Sequence, residues 1–548
     1  TVINPQVTLT GNLSVTGSNT VMFQNGIVGD YDFTSNANST WFRGDVNVKS
    51  VSITGETQFL GNTNSITTTG TQIYGRNIVT NRDISLIAGE NEISIEGTVN
   101  AWNSAEGAKS LIIGNDSNAT SLIIKGKIGG GPGAKEMNDV TVFGNLTASG
   151  SMDIAGSVYV KGTTTFEGAA PLTINSKNTQ TYTGAVSLNQ NVTFLAGTNA
   201  VTFESTVNSD SAKNLICGND TTGTPVIFKG NVGAASSIGN LSFYGPVTLA
   251  GSIKTTSTQT YSDDILITTN ATLTATEVIL NKADAVYPAT EVIQNVSGTN
   301  LTLDTPKVTV SQKNNVTAPV ELAQNVEIGG TKAITFGGAT GTAGKNITVT
   351  GDVIFNGITV SSPVINNNSV TCTGNVTFAD TYATATGKTG TFNASAGTVT
   401  FNANVDFSRN TFVSNNGTIV LDPSPSGTTI TLGGSNTYNT VQIKGNVDIK
   451  DKNTFATLTA SGLENKTITF PATVAKVQNV TTKLILTGVS NDDNKRLLLR
   501  SDSANPADAT DCFYINFTGT VDDTNYSIKF VDMQNGYNAR EDGSSNPD

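Results

Sequence analysis

The sequence predicts an all-β protein, a right-handed parallel β-helix (β-solenoid) with an atypical carboxy-terminal segment. Three observations support this fold class. Thr, Asn, Ser, Gly and Val dominate the composition, apolar and polar residues alternate in short runs, and sequence repeats occur at offsets that share a divisor near 21 residues. Together they are typical of a chain that winds in stacked coils of short strands.

The composition indicates a β-rich fold in preference to a helical or a disordered one. Only 14% of the residues are charged, against about 25% in an average soluble protein, and strong helix formers are scarce. Val, Ile, Leu and Phe recur throughout in alternating runs, which argues against disorder because they supply a core. The 548 residues exceed the size of one ordinary domain, so either several domains or one repeating architecture is expected.

The repeats favour one repeating architecture. The stretch KSLIIGND (Lys109–Asp116) returns as KNLICGND (Lys213–Asp220), 104 residues later. The pattern TQ-x-Y begins at Thr71, Thr179 and Thr258, with offsets of 108 and 79. Whole numbers of units of about 20 to 22 residues account for all three offsets, and such a unit is the size of one solenoid coil.

Within a unit the residue pattern predicts strands joined by tight turns. In Val201–Phe203 and Val376–Phe378, Val and Phe alternate with Thr, and the second run recurs at Val399–Phe401, 23 residues on. This alternation places the apolar residues on a buried face. Gly218–Asp220 is a turn signal, and parallel crossovers are expected to be right-handed. A string of β-sandwich domains of about 100 residues is the competing all-β interpretation.

The predicted boundary lies near residue 490, with a β-solenoid shaft over 1–490 and a cap or assembly segment over 491–548. After Asn491 the chain becomes charged, beginning with Asp492, Asp493 and Lys495. Terminal repeats of solenoids differ from the others because they shield an open sheet end.

Charge, hydropathy and residue usage exclude several classes of function. The net charge of −12 would repel phosphate backbones, so no nucleic-acid partner is expected. No apolar stretch is long enough for a membrane span, and any export signal would lie outside this chain. With no histidine and three cysteines, His-based catalysis and a disulfide framework are excluded. Cys217, aligned with Ile113, and Cys372, in phase with Val370, are expected to be unpaired core residues.

A family resemblance appears in the stretch TQTYTGAVSLNQNVTFLAGTNAVTFESTV, Thr179–Val207. It resembles the repeats of bacterial surface β-helix proteins of the filamentous haemagglutinin and autotransporter-adhesin type, and the resemblance extends over about residues 100–460. It implies a secreted, right-handed β-helical shaft with a role in adhesion, biofilm or surface filaments. It implies no catalytic residues, and the secretion domain of two-partner systems is not part of this sequence.

No catalytic, cofactor-binding or metal-ligating residue is predicted. The carboxylate pairs Asp263 with Asp264, Asp492 with Asp493, and Asp522 with Asp523 are the nearest approach to the acid and base of a polysaccharide lyase or depolymerase. Adjacent residues on a strand point to opposite faces, so solvated turns are the favoured interpretation. No cofactor is expected; calcium is the ion that such pairs would suit, although no calcium-loop motif accompanies them.

Two further motifs have structural explanations that the sequence favours. Gly129–Ala134 reads GGGPGA but lacks the Lys-Ser/Thr of a phosphate-binding loop, so a bulge between coils is expected. Sequons for N-glycosylation occur throughout, and a chain rich in Asn and Thr produces them by chance. Examples are Asn145, Asn191, Asn270, Asn346 and Asn375.

These observations predict an extracellular structural or adhesive protein of the cell surface that is not an enzyme. Its β-helical shaft would form or belong to a surface filament or matrix. The alternative is a carbohydrate-binding or carbohydrate-active β-helix of the lyase or depolymerase kind. The expected partners are further copies in end-to-end association, other surface proteins, or glycans that contact the outward Thr, Asn and Ser rows.

Overall fold

The computed structural model describes residues 1–102, 107–130, 136–282, 293–311, 313–330, 334–338, 340–342, 345–394, 396–503 and 511–538. The chain forms two compact units, Thr1–Thr290 and Glu291–Asp548. In each unit short strands pair in parallel with strands one coil later, which makes each unit a β-solenoid. The predicted fold class is confirmed.

The first unit has three parallel sheets, and the chain visits sheets A, B and C in turn. Sheet A contains Val2–Ile3, Thr20–Phe23, Ser39–Phe42, Glu56–Phe59, Ile78–Thr80, Val99–Ala101, Met152–Ile154, Leu172–Ser176, Val192–Leu195, Leu215–Cys217, Leu241–Phe243, Thr258–Tyr261 and Glu277–Leu280. Sheet B contains Val7–Thr8, Ile27–Val28, Val46–Val48, Ser65–Thr68, Ile84–Ile87, Leu111–Ile113, Val140–Val142, Val158–Val160, Gln180–Tyr182, Val201–Phe203, Val226–Phe228, Val247–Leu249 and Ile265–Ile267. Sheet C contains Leu13–Val15, Asp32–Ser35, Ser50–Ile53, Gln72–Tyr74, Glu92–Ile95, Ser121–Ile124, Leu146–Ala148, Thr164–Phe166, Val186–Leu188, Val207–Ser209, Ile253–Lys254 and Ala271–Thr274.

The second unit begins with three sheets, named D, E and F here. Sheet D contains Lys307–Val310, Val326–Gly330, Ile347–Val349, Val364–Asn366, Tyr382–Ala383, Val405–Asp406, Thr429–Gly433, Asn446–Ile449, Thr467–Phe470, Leu497–Ser501 and Val531–Met533. Sheet E contains Gln294–Gly298, Asn314–Val316, Ile334–Phe336, Asp352–Asn356, Ser369–Thr373, Gly390–Asn393 and Asn410–Val413. Sheet F contains Leu301–Asp304, Val320–Leu322, Thr359–Val360, Val376–Phe378, Thr398–Phe401, Thr418–Leu421, Thr437–Ile443, Thr454–Ala460, Gln478–Thr487, Phe513–Phe517, Tyr526–Lys529 and Gly536–Asn538. Two short 3-10 helices, Val474–Lys476 and Asp493–Lys495, lie between strands of this unit.

The core follows from the alternation in the sequence. Val201 and Phe203 are fully buried, whereas Thr202 between them is half-buried on the outer face. Equivalent inward side chains stack from coil to coil, and the rings of Phe203 and Phe228 lie 5.1 Å apart and 8° from parallel. Cys217 is fully buried, as predicted.

Coil length varies more than the sequence repeats suggest. Leu146 pairs with Thr164, whereas Leu111 pairs with Val140, so the coil that begins at Leu111 is much the longer of the two. Val376 pairs with Val399, so the short repeat seen in the sequence is one coil. Extra residues are accommodated at the corners between sheets, where they leave the strand pairing intact.

The longer repeats are not whole numbers of coils, which corrects the sequence prediction. Leu111–Ile113 lies in sheet B, whereas its counterpart Leu215–Cys217 lies in sheet A. The Gln-x-Tyr strands likewise occupy sheet C at Gln72–Tyr74, sheet B at Gln180–Tyr182 and sheet A at Thr258–Tyr261. A three-sided coil has three similar corners, so a motif that builds a corner can recur at any of them.

The Gln-x-Tyr motif shows why the corners are interchangeable. The buried Gln180 Nε2 donates to the carbonyl oxygens of Ile174 (2.9 Å) and Leu195 (2.8 Å), and Tyr182 Oη donates to Gln180 Oε1 (3.1 Å). Gln72 and Gln259 make the corresponding bonds at their own corners. Each glutamine therefore satisfies backbone groups that a sheet ladder cannot reach where the chain turns.

The carboxy-terminal segment continues the sheets of the second unit. Leu497–Ser501 pairs with Thr467–Phe470, and Phe513–Phe517 pairs with Gln478–Thr487. Within the described residues, sheet E has no strand after Asn410–Val413, and the later coils alternate between sheets D and F. The predicted boundary at residue 490 and the cap or assembly role of 491–548 stay predictions.

Candidate functional site

A groove on the outer face of sheet D is the candidate site of the second unit. It encloses about 490 Å³ and crosses neighbouring coils where Tyr382–Ala383, Val405–Asp406 and Thr429–Gly433 run side by side. The lining residues are Thr381, Tyr382, Ala383, Asn404, Val405, Asp406, Ser408, Thr431, Gly433, Lys450 and Asp451. Cavities of this size hold small ligands in other proteins.

Small residues create the depression. Tyr382 pairs with Val405, and Asp406 pairs with Gly433, so Ala383, Asp406 and Gly433 follow one another in an outward row across three coils. A Cβ atom at Gly433 would lie 2.8 Å from Asp406 Oδ1. Glycine is therefore required here for the carboxylate of Asp406 to lie along the groove floor.

Hydrogen bonds hold the two carboxylates of the groove. Asp406 Oδ1 accepts from the backbone N–H of Ser408 at 2.8 Å. Asp451 Oδ2 accepts from the backbone N–H of Gly434 at 2.9 Å. Both carboxylates are thus oriented by backbone groups of their own or the neighbouring coil.

The pKa of the buried Tyr438 reports on the field around these carboxylates. Burial raises this pKa far above its ordinary value, the hydrogen bond with Asn436 lowers it, and the negative charges of Asp451 and Asp406 each raise it by a smaller amount. Both carboxylates therefore lie close enough to the same buried phenol to act on it.

Two lysines lie near the groove, and one of them pairs with a groove carboxylate. Lys450 forms an ion pair with Asp448, and Lys476 Nζ lies 3.5 Å from Asp451 Oδ1. Within the described residues, Asp406 has no cation within ion-pair distance. The groove can therefore accept hydrogen bonds and positive charge at Asp406.

The carboxylate pairs that the sequence singled out lie elsewhere. Asp263 Oδ1 and Asp264 Oδ1 both contact Lys282 Nζ, at 2.9 and 2.8 Å. They converge because they precede the strand Ile265–Ile267 in a turn, where the alternation of a strand does not apply. Burial would lower the pKa of Lys282, but the bonds to Asp264 and Asp263 outweigh it and raise that pKa.

The two later pairs occupy exposed turns. Asp493 lies 3.2 Å from Arg496. Asp522 Oδ1 accepts from the backbone N–H groups of Asn525 (2.8 Å) and Thr524 (2.9 Å), and these bonds lower its pKa. Among the residues that the structure describes, there is no group of three or more His, Cys, Asp and Glu side chains placed to hold a metal ion.

The glycine-rich stretch lies partly outside the described residues, which end at Gly130 and resume at residue 136. Gly129 and Gly130 have φ angles of 73° and 70°.

The sequons have a structural cause where the contacts are visible. Asn145 Oδ1 accepts from the N–H of Thr163, one coil later, at 2.9 Å, and Asn191 Oδ1 does the same for Asn214. Corner Asn, inward Val or Leu and outward Thr together produce the pattern N-x-T.

Sequence reasoning missed the groove. Asp406 and Gly433 are a whole coil apart in the chain, and only strand pairing shows that they are neighbours. The local signal that could have been noticed is the pair Gly433 and Gly434 directly after an alternating strand, because glycine marks close approach of another group.

No family model matches the chain, and the searches of curated proteins and of solved structures found no match either. In the described part of the chain, no helix has the length and apolar character needed to cross a membrane.

Proposed function

We propose that the chain is an extracellular structural or adhesive protein whose β-solenoid forms or belongs to a cell-surface filament or matrix. One observation carries the proposal: in the described parts of each unit, successive coils are hydrogen-bonded to each other through their sheets, and inward side chains stack in register. The rings of Phe378 and Phe401, for example, lie 5.1 Å apart and 9° from parallel. Such a unit is a rigid spacer whose outer rows present Thr, Ser and Asn.

The resemblance of Thr179–Val207 to haemagglutinin-type repeats supports an extracellular location. In the structure this stretch forms consecutive strands of all three sheets, beginning with Gln180–Tyr182 and Val186–Leu188. The motif therefore coincides with the solenoid coil that such surface shafts repeat.

Surface exposure is the first test. Intact cells that produce the chain would be treated with a nonspecific protease and probed with antibodies against it, with a cytoplasmic protein as control. We expect loss of the chain and retention of the control. Antibody signal that appears only after lysis would refute the extracellular role.

End-to-end association is proposed as the mode of assembly. Among the described residues, the strands Val2–Ile3, Val7–Thr8 and Leu13–Val15 are paired on one side only. Such an edge pairs either with a strand of another copy or with a further coil of the same polypeptide, and the first case gives end-to-end association. The N–H groups of Val7 and Leu9 donate to carbonyl groups of the next coil. Because successive N–H groups of a strand point to opposite sides, the N–H group of Thr8 faces the unpaired edge. Thr8→Pro should reduce association, measured by sedimentation velocity, without unfolding the first coil. The control Thr202→Ser, away from this edge, should associate as the unmodified chain does. Unchanged association of the Thr8→Pro variant would exclude this edge as the contact.

The groove favours carbohydrate binding as a second candidate function. Its lining combines carboxylates, hydroxyls and an amide around a depression of about 490 Å³, and these groups suit a hydroxyl-rich ligand. Binding of the whole chain to immobilised oligosaccharides would test this function. Loss of binding in Gly433→Val, which fills the depression, is the expected result, and equal binding by that variant would place the contact elsewhere.

A further inference from the structure

The groove has one carboxylate whose charge is not balanced. Lys450 is paired with Asp448 and Lys476 with Asp451, whereas among the residues that the structure describes the carboxylate of Asp406 accepts a backbone N–H, from Ser408, and has no ion-pair partner. An unbalanced carboxylate held in a partly enclosed site attracts a cation more strongly than an exposed one, because solvent screens it less.

Uncharged groups beside Asp406 define the rest of the ligand. Asn404 Oδ1 accepts from the backbone N–H of Thr431 at 2.8 Å, and the Nδ2 of this lining residue is a further hydrogen-bond donor. The hydroxyl of Thr431, also in the lining, can donate or accept. These groups match hydroxyls that lie next to a positive charge.

Aromatic stacking contributes little in this groove. Tyr382 is the aromatic residue of the lining, and its ring is buried against that of Phe392 at a centroid distance of 5.0 Å. Polar contacts must therefore provide most of the selectivity, and a charge-assisted hydrogen bond is the strongest of them.

We propose that the groove binds an amino sugar with a free, protonated amine, which pairs with Asp406 while neighbouring hydroxyls bond to Asn404 and Thr431. This inference rests on the proposed carbohydrate-binding function and adds the chemical class of the ligand. A neutral hexose lacks the charge, and an N-acetylated sugar replaces the ammonium group with an amide.

The test uses three β-1,4-linked dimers that differ only at C2: cellobiose with a hydroxyl, the glucosamine dimer with an amine, and diacetylchitobiose with an acetamide. Calorimetric titration of the full chain at low salt and mildly acidic pH should show the amine dimer binding about tenfold more tightly than cellobiose. Asp406→Asn keeps the Oδ1 acceptor for Ser408 and removes the charge, so it should abolish the preference.

Asp422→Asn is the matched control. Asp422 is a half-exposed carboxylate of the same unit outside the groove lining, 3.7 Å from Lys444, and its variant should retain the preference. Equal binding of all three dimers would overturn the amine assignment and keep the carbohydrate function. If none of the three dimers binds, both the amine assignment and the carbohydrate-binding function are overturned. The same conclusion follows if the groove binds calcium ions and no sugar.

Discussion

Replacing Gln180 with leucine should open the solenoid locally. The buried side chain of Gln180 donates to the carbonyl oxygens of Ile174 and Leu195 and accepts from Tyr182 Oη, at 2.8 to 3.1 Å. Leucine has a similar volume but leaves three polar groups without these partners. A buried polar group that loses its partner lowers the free energy of unfolding by about 1–3 kcal/mol, and a carbonyl that keeps a second lone pair lies at the low end of this range. With about 1 kcal/mol for each of the three groups, the expected total loss is about 3 kcal/mol.

The assay must be local, because stability in repeat structures is a sum over neighbouring coils and unfolding is not all-or-none. Hydrogen exchange read out by mass spectrometry on the strands Leu172–Ser176 and Val192–Leu195 provides this. About 3 kcal/mol corresponds to roughly a hundredfold loss of protection. Strands of the second unit, such as Thr454–Ala460, should keep their protection.

Two variants calibrate the result. Tyr182→Phe removes a single donor from the same cluster and should cost about 1 kcal/mol. Gln190→Leu changes a half-buried glutamine whose Nε2 donates to the carbonyl of Gly168 and whose Oε1 accepts from the backbone N–H of Asn191. Water can replace these partners at the surface, so this change should cost about 1 kcal/mol or less. Protection in Gln180→Leu equal to that in Gln190→Leu would refute the role assigned to the corner glutamine.

Three further expectations follow from buried groups. Cys217 and Cys372 are buried, which raises the pKa of both thiols, whereas Cys512 is half-buried. A bulky maleimide should therefore label Cys512 first, as detected by mass spectrometry. Rapid labelling of Cys217 or Cys372 would contradict the strand register. Asn214→Leu should lower the local stability measured by hydrogen exchange by about 1–2 kcal/mol, since the side chain of Asn214 accepts the N–H of Asn240 in the next coil. Asn214→Asp keeps this acceptor and should lower the stability by less. Gln180→Glu buries a carboxyl group whose folded pKa rises above the unfolded value of about 4.3. Its stability should therefore be highest below that pH and fall as the pH rises, and a flat profile would show that the group is solvated.

Local features of the fold were predictable because they depend on neighbours in the chain. Val376–Phe378 reads as a half-buried strand from its alternation alone, and its pairing with Val399–Phe401 follows from a visible repeat. The burial of Cys217 followed from its alignment with Ile113 in the repeat, and that of Cys372 from its two-residue alternation with Val370.

The register of the longer repeats was not predictable, because coil length is set at corners whose loops differ. The repeat that relates Leu111 to Leu215 suggested whole coils, yet the two strands lie in different sheets. Corner motifs such as Gln-x-Tyr are defined by local hydrogen bonds, so their sequence carries no information about which corner they build.

The sequence by itself determined the class of fold, since inward and outward positions are encoded two residues apart. Only the tertiary structure decided which side chains meet on the outer faces. The groove brings together Asp406, Gly433 and Lys450, which are separated by two successive coils. The lengths of these two coils differ, and together they decide that the three residues are neighbours. A coil one residue longer or shorter would bring other side chains to the same place, and nothing in the local pattern specifies that length.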